Sequence, residues 1–291
     1  MSRPSITVIT PSFNQAGYLR QTIDSVLGQN YPALEYLIFD GLSTDGSAEL
    51  IRSYADRLAG WVSRKDRGQS DAINQGMRQA KGDIVCWINS DDYLCAGSLE
   101  KVATYFDHHP EAQWLIGGCE LLEEQKPPHG IRHAPQNLTP DNLMAWWPDY
   151  WFCQQSTFWR RSLLERAGLL DESLHYMMDL DLWLRFFAIN QPAIVSDILA
   201  GYRYHSSAKC LTATNQLLLE ELAIHRKIST AQSGEPLALF KTASTNRVLT
   251  LCSQLAEKKP AARNLPTGEL LRECGQRVFR KTGQLFRSPK E

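Results

Sequence analysis

The stretch I-V-C-W-I-N-S-D-D, residues 84–92, joins an apolar run directly to an acidic loop. Its first part, Ile84–Ile88, has the composition of a buried β-strand. Asn89 ends the run, and Asp91 and Asp92 follow at once. Because open α/β sheets bind ligands beyond the carboxyl ends of their strands, this junction predicts a polar ligand-binding loop.

Three earlier segments repeat this strand-to-loop pattern. Runs rich in β-formers lie at residues 6–10, 34–39 and 61–63, and apolar residues at helical spacing follow each of them. Alternating strands and helices predict an α/β fold with a parallel, doubly wound sheet. The polar side chains that follow the four strands are Ser12, Asn14, Asp40, Asp66, Asp91 and Asp92.

These strand-end residues allow two interpretations. A single Asp after a strand commonly caps a helix or closes a turn. A parallel sheet would, however, collect all of these side chains at one edge, and turn chemistry does not require that recurrence. The recurrence therefore favours a binding site.

The second half of the chain has a different pattern. The sequence predicts a helix near 99–106, a strand over 114–118, a long loop region over 123–149, helices near 161–168 and 179–189, a strand over 193–195, and only helices from about 213. We therefore expect one α/β unit over residues 1–210 and a helical extension over residues 211–291.

Composition excludes several classes of protein. The chain has 291 residues, 43% of them hydrophobic, and a formal net charge of −1, so overall charge does not favour nucleic acid. Its seven cysteines form no C-x-x-C pair, which indicates reduced thiols rather than a zinc site or disulfides. We see no signal peptide and no apolar run of about 18 residues, and therefore expect a cytoplasmic protein. A dinucleotide-binding dehydrogenase is disfavoured because P-S-F-N-Q-A-G, residues 11–17, lacks the G-x-G-x-x-G motif.

Five motifs occur in a fixed order: T-P-S-F-N-Q-A-G at 10–17, D-G-L-S-T-D-G-S at 40–47, D-R-G-Q-S-D-A-I-N-Q-G at 66–76, N-S-D-D at 89–92 and M-D-L-D-L-W-L-R at 178–185. Together they resemble the inverting family 2 glycosyltransferases of the polysaccharide-biosynthesis type. The resemblance covers about residues 5–210. It implies a GT-A fold, a doubly wound mixed sheet flanked by helices, with a nucleotide-sugar half over about 1–120 and an acceptor half over about 121–210.

On the donor side, the resemblance implies a nucleotide-diphosphate sugar, with UDP expected, and a divalent metal, Mn²⁺ or Mg²⁺. A hard cation neutralises charge on a departing diphosphate. The expected metal ligands are Asp91 and His205, and the alternative for each is a structural role. The residues expected to contact the nucleotide sugar are Pro11, Ser12, Phe13, Asp40, Asp66 and Asp92.

On the acceptor side, the resemblance implies a saccharide or lipid-linked saccharide and makes Asp179 the general base. An attacking hydroxyl needs a group that takes its proton. A carboxylate at a helix start is also a good capping residue, and Asp181 is the competing candidate. Gln154 matches a polar position near the acceptor, or is a buried structural amide. Four tryptophans could stack on sugars or fill the core: Trp146, Trp147, Trp151 and Trp159.

Two residues depart from the family pattern. Asn89 stands where the family has the first carboxylate of Asp-x-Asp, and Ile73 stands where many members have arginine. These departures keep open a second hypothesis, a catalytically inactive sugar-nucleotide-binding or scaffold protein. The presence of Asp91, Asp92 and Asp179 favours an active enzyme.

The last segment, residues 257–291, holds nine Lys or Arg and four Glu, a net charge of +5. Apolar residues alternate with this charge. A basic amphipathic helix can lie on an anionic membrane, so the tail is a candidate for peripheral contact near a lipid-linked acceptor. The alternative is a solvated helix packed on the domain.

Overall fold

The computed structural model describes residues 3–124, 126–145, 151–205, 209 and 214–257. The strands in these ranges are β1 (Ile6–Ser12), β2 (Leu34–Asp40), β3 (Gly60–Ser63), β4 (Ile84–Trp87), β5 (Tyr93–Leu94), β6 (Trp114–Glu123), β7 (Gly130–Arg132), β8 (Thr157–Arg160) and β9 (Ala193–Tyr204). The helices are α1 (Ala16–Leu27), α2 (Ser47–Arg52), α3 (Gln69–Gln79), α4 (Ser98–His108), α5 (Pro140–Met144), α6 (Arg161–Ala167), α7 (Met178–Ile189), α8 (Thr214–Thr230) and α9 (Lys241–Glu257). Short 3-10 turns include Gln154–Ser156 and Pro236–Phe240.

These strands form one mixed sheet in the order β3-β2-β1-β4-β8-β6-β9-β5, with β7 added beside β6. Strands β1 to β4 run parallel, and Ser12 pairs with Asp40, which pairs with Ser63. Strand β8 runs antiparallel to its neighbours β4 and β6. The carboxyl ends of the four parallel strands therefore share one edge, and the predicted α/β fold with a mixed sheet is confirmed.

Helix α3 lies unusually close to β1, which fixes the loop that precedes the helix. A Cβ atom added at Gly76 would come within 2.5 Å of Ile9 Cγ2, so only glycine permits this approach. Ile73, one turn earlier, is fully buried and belongs to the hydrophobic core. Position 73 is therefore a core position in this chain and does not face the edge where the strands end.

An aromatic cluster joins the parallel half of the sheet to α7. The Trp183 ring stacks at 5.7 Å on both Trp87 of β4 and Trp114 of β6. Trp159 of β8 meets Trp183 at 5.8 Å and is fully buried, so it belongs to the core rather than to a sugar-binding surface. Trp146 and Trp147 lie outside the described residues. Because aromatic pairs bury large areas, this cluster fixes the position of α7 against the sheet.

The structure differs from the sequence-based elements mainly in the second half. Strands β6 and β9 are far longer than predicted and pair in parallel with a β-bulge near Gly118. The segment predicted as a loop over 123–149 contains β7 and α5, and the short strands β5 and β8 were not predicted. The middle of β9 carries exposed residues at 196 and 197, which interrupts the apolar pattern by which a strand is recognised.

The helices after residue 213 pack on the α/β unit. Ile224, Ile228 and Phe240 belong to the same hydrophobic core as the sheet. Residues 258–291, which hold nearly all of the predicted basic tail, lie outside the described part of the chain. In the described part, no helix is long and apolar enough to span a membrane. The cysteines at 86, 95, 119 and 153 are free thiols.

Candidate active site

A cavity of about 620 Å³ opens at the carboxyl edge of the parallel strands, opposite the start of α7. Most of the sequence-predicted site residues line it: Pro11, Ser12, Phe13, Asp66, Asp91, Asp92, Trp151, Gln154 and Asp179. Asp40, His205 and Asp181 do not belong to this lining. Residues that the sequence suggested from three separate strand ends, those of β1, β3 and β4, and from the start of α7 therefore meet around one space.

The loops after β1 and β2 are tied to each other. The Asn14 N–H donates to Ser43 Oγ at 2.8 Å, and the Thr44 N–H donates to Asn14 Oδ1 at 2.9 Å. Asn14 adopts a left-handed conformation (φ 52°), which asparagine tolerates better than most residues. The Ala16 N–H donates to Asp45 Oδ2 at 2.8 Å. These bonds hold the loop that carries Pro11–Phe13 in one shape before any ligand binds.

Two side chains of the first loop are prepared for contact with a ligand. Phe13 is 62% exposed at the cavity wall, which is unusual for a large aromatic ring in a folded chain. Ser12 Oγ is buried and has no hydrogen-bond partner among the described residues. A buried hydroxyl without a partner costs free energy, and a ligand in the cavity could supply that partner.

Asp40 and Asp66 occupy different environments. Asp40 is 2% exposed, and its Oδ2 accepts from Ser63 Oγ at 2.6 Å and from the Ser43 N–H at 3.0 Å. Asp66 lines the cavity, and burial raises the pKa of its carboxyl. Its Oδ2 would lie 2.8 Å from a Cβ added at Gly41, so this carboxylate closes over the loop after β2. The nucleotide contact predicted for Asp40 stays a prediction. Asp66 is more accessible from the cavity than Asp40 is.

Asp92 is held by three hydrogen bonds from three segments. Its Oδ1 accepts from the Arg203 N–H at 2.9 Å, and its Oδ2 accepts from Gln155 Nε2 at 2.6 Å and Asn89 Nδ2 at 3.2 Å. Burial, followed by the nearby charge of Asp91, raises the pKa of Asp92 well above its usual range. Asp92 therefore joins β4, β9 and the 3-10 turn at the cavity floor.

The amide at position 89 fits this network better than a carboxylate would. Asn89 Nδ2 donates to Asp92, while Asn89 Oδ1 accepts from Gln69 Nε2 at 2.9 Å. Gln69 Oε1 in turn accepts from Lys209 Nζ at 3.0 Å. An ionised carboxylate at position 89 would lack the N–H that donates to Asp92 and would place a second negative charge beside it. The departure from Asp-x-Asp is thus compatible with an intact site.

Asp91 and His205 form the pair that the sequence suggested for metal binding. Asp91 Oδ2 lies 3.0 Å from His205 Nε2, and His205, which follows β9, packs on the Tyr18 ring at 4.7 Å. The described residues contain no group of three or more His, Cys, Asp or Glu side chains that could hold a metal. A carboxylate suits Mn²⁺ and Mg²⁺ when the substrate's phosphates supply further ligands, and the imidazole nitrogen favours the transition metal Mn²⁺ over the harder Mg²⁺. The two residues present fit a metal of that kind.

Asp179, the second residue of α7, lines the cavity, and burial raises the pKa of its carboxyl to about 6. Its Oδ1 accepts from the Leu180 N–H at 2.8 Å. Asp181 is 3% exposed and points away from the cavity, where it bonds to Arg185 at 2.8 Å and to Lys227 at 3.1 Å. Of the two candidate bases, only Asp179 can reach a substrate in the cavity.

Sequence reasoning missed several residues of the lining. Three basic side chains bring positive charge to the lining: Lys65, Arg203 and Lys209. Ile73, at the position where many family members have arginine, is not part of the lining. The Arg203 guanidinium already donates to the Asp91 carbonyl at 2.9 Å and to Gln21 at 2.6 Å. The only sequence signal for Lys209 was its place four residues after His205, within a segment that had no predicted structure.

Comparison with known proteins identifies the family of this chain. The model of the family described as "Glycosyl transferase family 2" matches residues 7–167. An uncharacterized glycosyltransferase of Rickettsia prowazekii is 27% identical over 74% of this chain and 68% of its own length. A Bacillus subtilis glycosyltransferase named for teichuronic acid biosynthesis, TuaG, is 30% identical over 49% of this chain and 58% of its own length.

Two solved structures share the fold. S. aureus TarS residues 1–349, in complex with UDP-GlcNAc, superposes with a TM-score of 0.72 at 20% identity over 94% of this chain and 81% of that chain. A mannosyltransferase from Pyrobaculum calidifontis, in complex with GDP-Man and Mn²⁺, gives a TM-score of 0.58 at 21% identity over 97% and 82%. The predicted GT-A fold is confirmed by this likeness. Since the family model covers more than half of its length, this chain is a glycosyltransferase and belongs to glycosyl transferase family 2.

Proposed function

We propose that this glycosyltransferase moves a sugar from a nucleotide-diphosphate donor, a UDP-sugar, to a hydroxyl of a saccharide or lipid-linked saccharide acceptor. Its product would be part of a cell-surface polysaccharide. The observation that carries the proposal is that Asp179 and Asp91 line one cavity in a chain of this family. The complex of TarS with UDP-GlcNAc and the name of TuaG support the donor and the pathway class.

The donor would lie along the loops after β1 to β4, in the nucleotide-sugar half over about residues 1–120. Phe13 offers an exposed ring on which a nucleobase can stack. Ser12 Oγ would gain the hydrogen-bond partner that it lacks, and the Asp66 carboxylate can accept from a ribose hydroxyl or a base N–H. In this proposal Asp40 and Asp92 act mainly through the loops that they hold together.

The departing diphosphate requires neutralisation of its growing negative charge. Asp91 and His205 are the residues that would hold Mn²⁺ or Mg²⁺. When bound, such a cation supplies Lewis-acid stabilisation of the leaving group. Lys209, whose Nζ lies at the cavity wall near Gln69, adds positive charge from the protein itself.

The acceptor would enter between the aromatic wall at Trp151 and the start of α7, in the acceptor half over about residues 121–210. Asp179 takes the proton from the attacking hydroxyl while the new bond to the anomeric carbon forms and the bond to the diphosphate oxygen breaks. A pKa of about 6 keeps Asp179 largely ionised at neutral pH and still basic enough to accept a proton. One displacement on the face opposite the leaving group inverts the anomeric configuration.

Product stereochemistry tests this proposal. The purified protein is screened for stabilisation by a panel of UDP- and GDP-sugars, and the donor found is incubated with simple saccharide acceptors and Mn²⁺. We expect an α-linked donor to give a β-linked product by NMR. A product with retained configuration would reject the single displacement. Binding of donors without transfer or hydrolysis under any metal condition would favour the inactive, donor-binding alternative.

A further inference from the structure

A buried carboxylate from α8 holds the segment that leads into α7. Glu220 is 4% exposed and lies 43 to 45 residues further along the chain than its partners. Its Oε1 accepts from the His175 N–H at 2.9 Å. Its Oε2 accepts from the Tyr176 N–H at 2.7 Å and the Met177 N–H at 3.0 Å. Three successive backbone N–H groups thus converge on one side chain.

This contact controls the entry into the helix that carries Asp179. Residues 175–178 all line the cavity, and Asp179 follows them as the second residue of α7. Hydrogen bonds to an ionised carboxylate are about twice as strong as neutral ones, and a set of three fixes the direction of a turn. A small rotation of this turn would move the Asp179 carboxylate relative to a bound acceptor.

We infer that Glu220 is a positioning residue for Asp179, so that α8 is a working part of the catalytic unit rather than an extension of it. The inference rests on the proposed role of Asp179 as general base. Residue 220 lies beyond residues 7–167, which the family model matches. Leu217, one turn earlier on α8, also lines the cavity, which brings the same helix to the site at a second point.

The charge of Glu220 also raises the pKa of Asp179. Burial is the largest influence on the pKa of Asp179 and raises it to about 6. The charged groups that face this carboxylate are Lys209, which lowers its pKa, and Glu220, which raises it. Removal of the negative charge at position 220 should therefore lower the pKa of Asp179. The acidic limb of the turnover–pH profile, where the base loses activity by protonation, would move to lower pH.

The neighbouring residue offers a matched control. Glu221 is also a buried carboxylate on α8, but it faces α9, where Arg247 Nε donates to its Oε1 at 2.8 Å. Glu221→Gln changes charge and size as Glu220→Gln does. A merely structural role of α8 predicts that both variants lose stability and that neither changes the pH profile.

The experiment measures kcat, donor KM and melting temperature from pH 5 to 8 for Glu220→Gln, Glu220→Asp and Glu221→Gln. For Glu220→Gln we expect kcat to fall about tenfold, donor KM to change less than about twofold, and the acidic limb to move to lower pH. Glu220→Asp should lower kcat while the limb stays in place, because the charge is kept. Glu221→Gln should lower only the melting temperature.

The variant Asp179→Asn tests the general-base role of Asp179 separately from the positioning role of Glu220. If Asp179→Asn turns over like the wild type, the proposed base is wrong, and the inference about Glu220 fails with it. Two outcomes would overturn the inference about Glu220 alone, provided that Asp179→Asn is inactive. In the first, the acidic limb of the pH profile of Glu220→Gln lies where it does in the wild type. In the second, Glu221→Gln moves that limb as far as Glu220→Gln does. Should Glu220→Gln not fold, Glu220→Asp still decides: wild-type kcat in that variant would contradict a positioning role.

Discussion

The proposed donor side and the proposed acceptor side of the cavity are built in different ways. On the proposed donor side, Phe13, Asp66 and Asp91 follow three strands of the parallel half of the sheet, β1, β3 and β4, and the loop after β1 is hydrogen-bonded to the loop after β2. On the proposed acceptor side, the turn before Asp179 is bonded to Glu220 and α7 packs on Trp87, so the contacts join residues far apart in the chain. Residues at strand ends can be recognised in a sequence, whereas the contacts by which a distant helix holds a site cannot.

Two carboxylates with raised pKa values, Asp92 and Asp179, show what this difference means for chemistry. Burial raises the pKa of both Asp92 and Asp179. The oxygens of Asp92 accept three hydrogen bonds from the protein, which commits them to holding the loops together. Asp179 accepts bonds only from the backbone at its own helix start, as far as the described residues show, and lines the cavity. A raised pKa therefore identifies a base only where the oxygens stay accessible.

The largest expected effect concerns the acceptor side. Asp179→Asn keeps the shape of the side chain but removes its basicity, and loss of a general base costs about 10²–10⁴-fold in rate. We expect kcat to fall by that order, and donor KM and melting temperature to stay close to the wild-type values. Initial rates over a range of donor concentration, with a thermal melt on the same sample, test this.

Asp181→Asn is the matched control, because Asp181 lies two residues further along α7 and bonds to Arg185 and Lys227 instead of facing the cavity. Its loss should reduce the free energy of unfolding by about 2 kcal/mol, with kcat within a few-fold of the wild type. If Asp181→Asn lost more kcat than Asp179→Asn, Asp181 and not Asp179 would be the general base.

The sequence predicted the fold and the acidic strand-end part of the cavity lining because both follow from local pattern. Apolar runs that end in Asp66 or in Asp91 and Asp92 are visible without any knowledge of contacts between distant segments. It could not predict that Asp40 would be covered by Ser43 and Ser63, since that depends on the final loop geometry.

The acceptor side was less accessible to prediction for the same reason. Glu220 is one of two adjacent glutamates in a helical pattern, and only the tertiary structure shows that it faces residues 175–177. The length of β9 was missed because exposed residues at 196 and 197 break its apolar pattern. Long-range pairing with β6 overrides that weak local signal.

The next effect in size concerns the metal on the donor side. Asp91→Asn removes the charged member of the pair with His205 and should reduce metal-stimulated turnover about 10²-fold, with little change in melting temperature. The variant's activity should match that of the wild type in chelator. His205→Gln should cause a similar loss, and the double variant should be no worse than either, because both residues would act through one ion. The proposed metal role would be rejected if the losses of turnover in the two single variants added up in the double variant. It would also be rejected if Asp91→Asn kept full activity in chelator.

The smallest effect concerns the nucleobase and tests how far the donor side works through its local loop alone. Phe13 is 62% exposed at the cavity wall, and Leu42, on the neighbouring loop, is 55% exposed but does not line the cavity. Stacking of a base on an aromatic ring contributes about 1–3 kcal/mol, so Phe13→Ala should raise donor KM about tenfold and leave kcat nearly unchanged. Leu42→Ala removes a similar apolar surface and should change neither constant. Affinity for free UDP by calorimetry should weaken with Phe13→Ala by the same factor as KM, since the contact is made to the base and not to the sugar. A fall in kcat instead would mean that Phe13 orients the reacting sugar, and that the donor loop, like the start of α7, helps to set the geometry of the reaction.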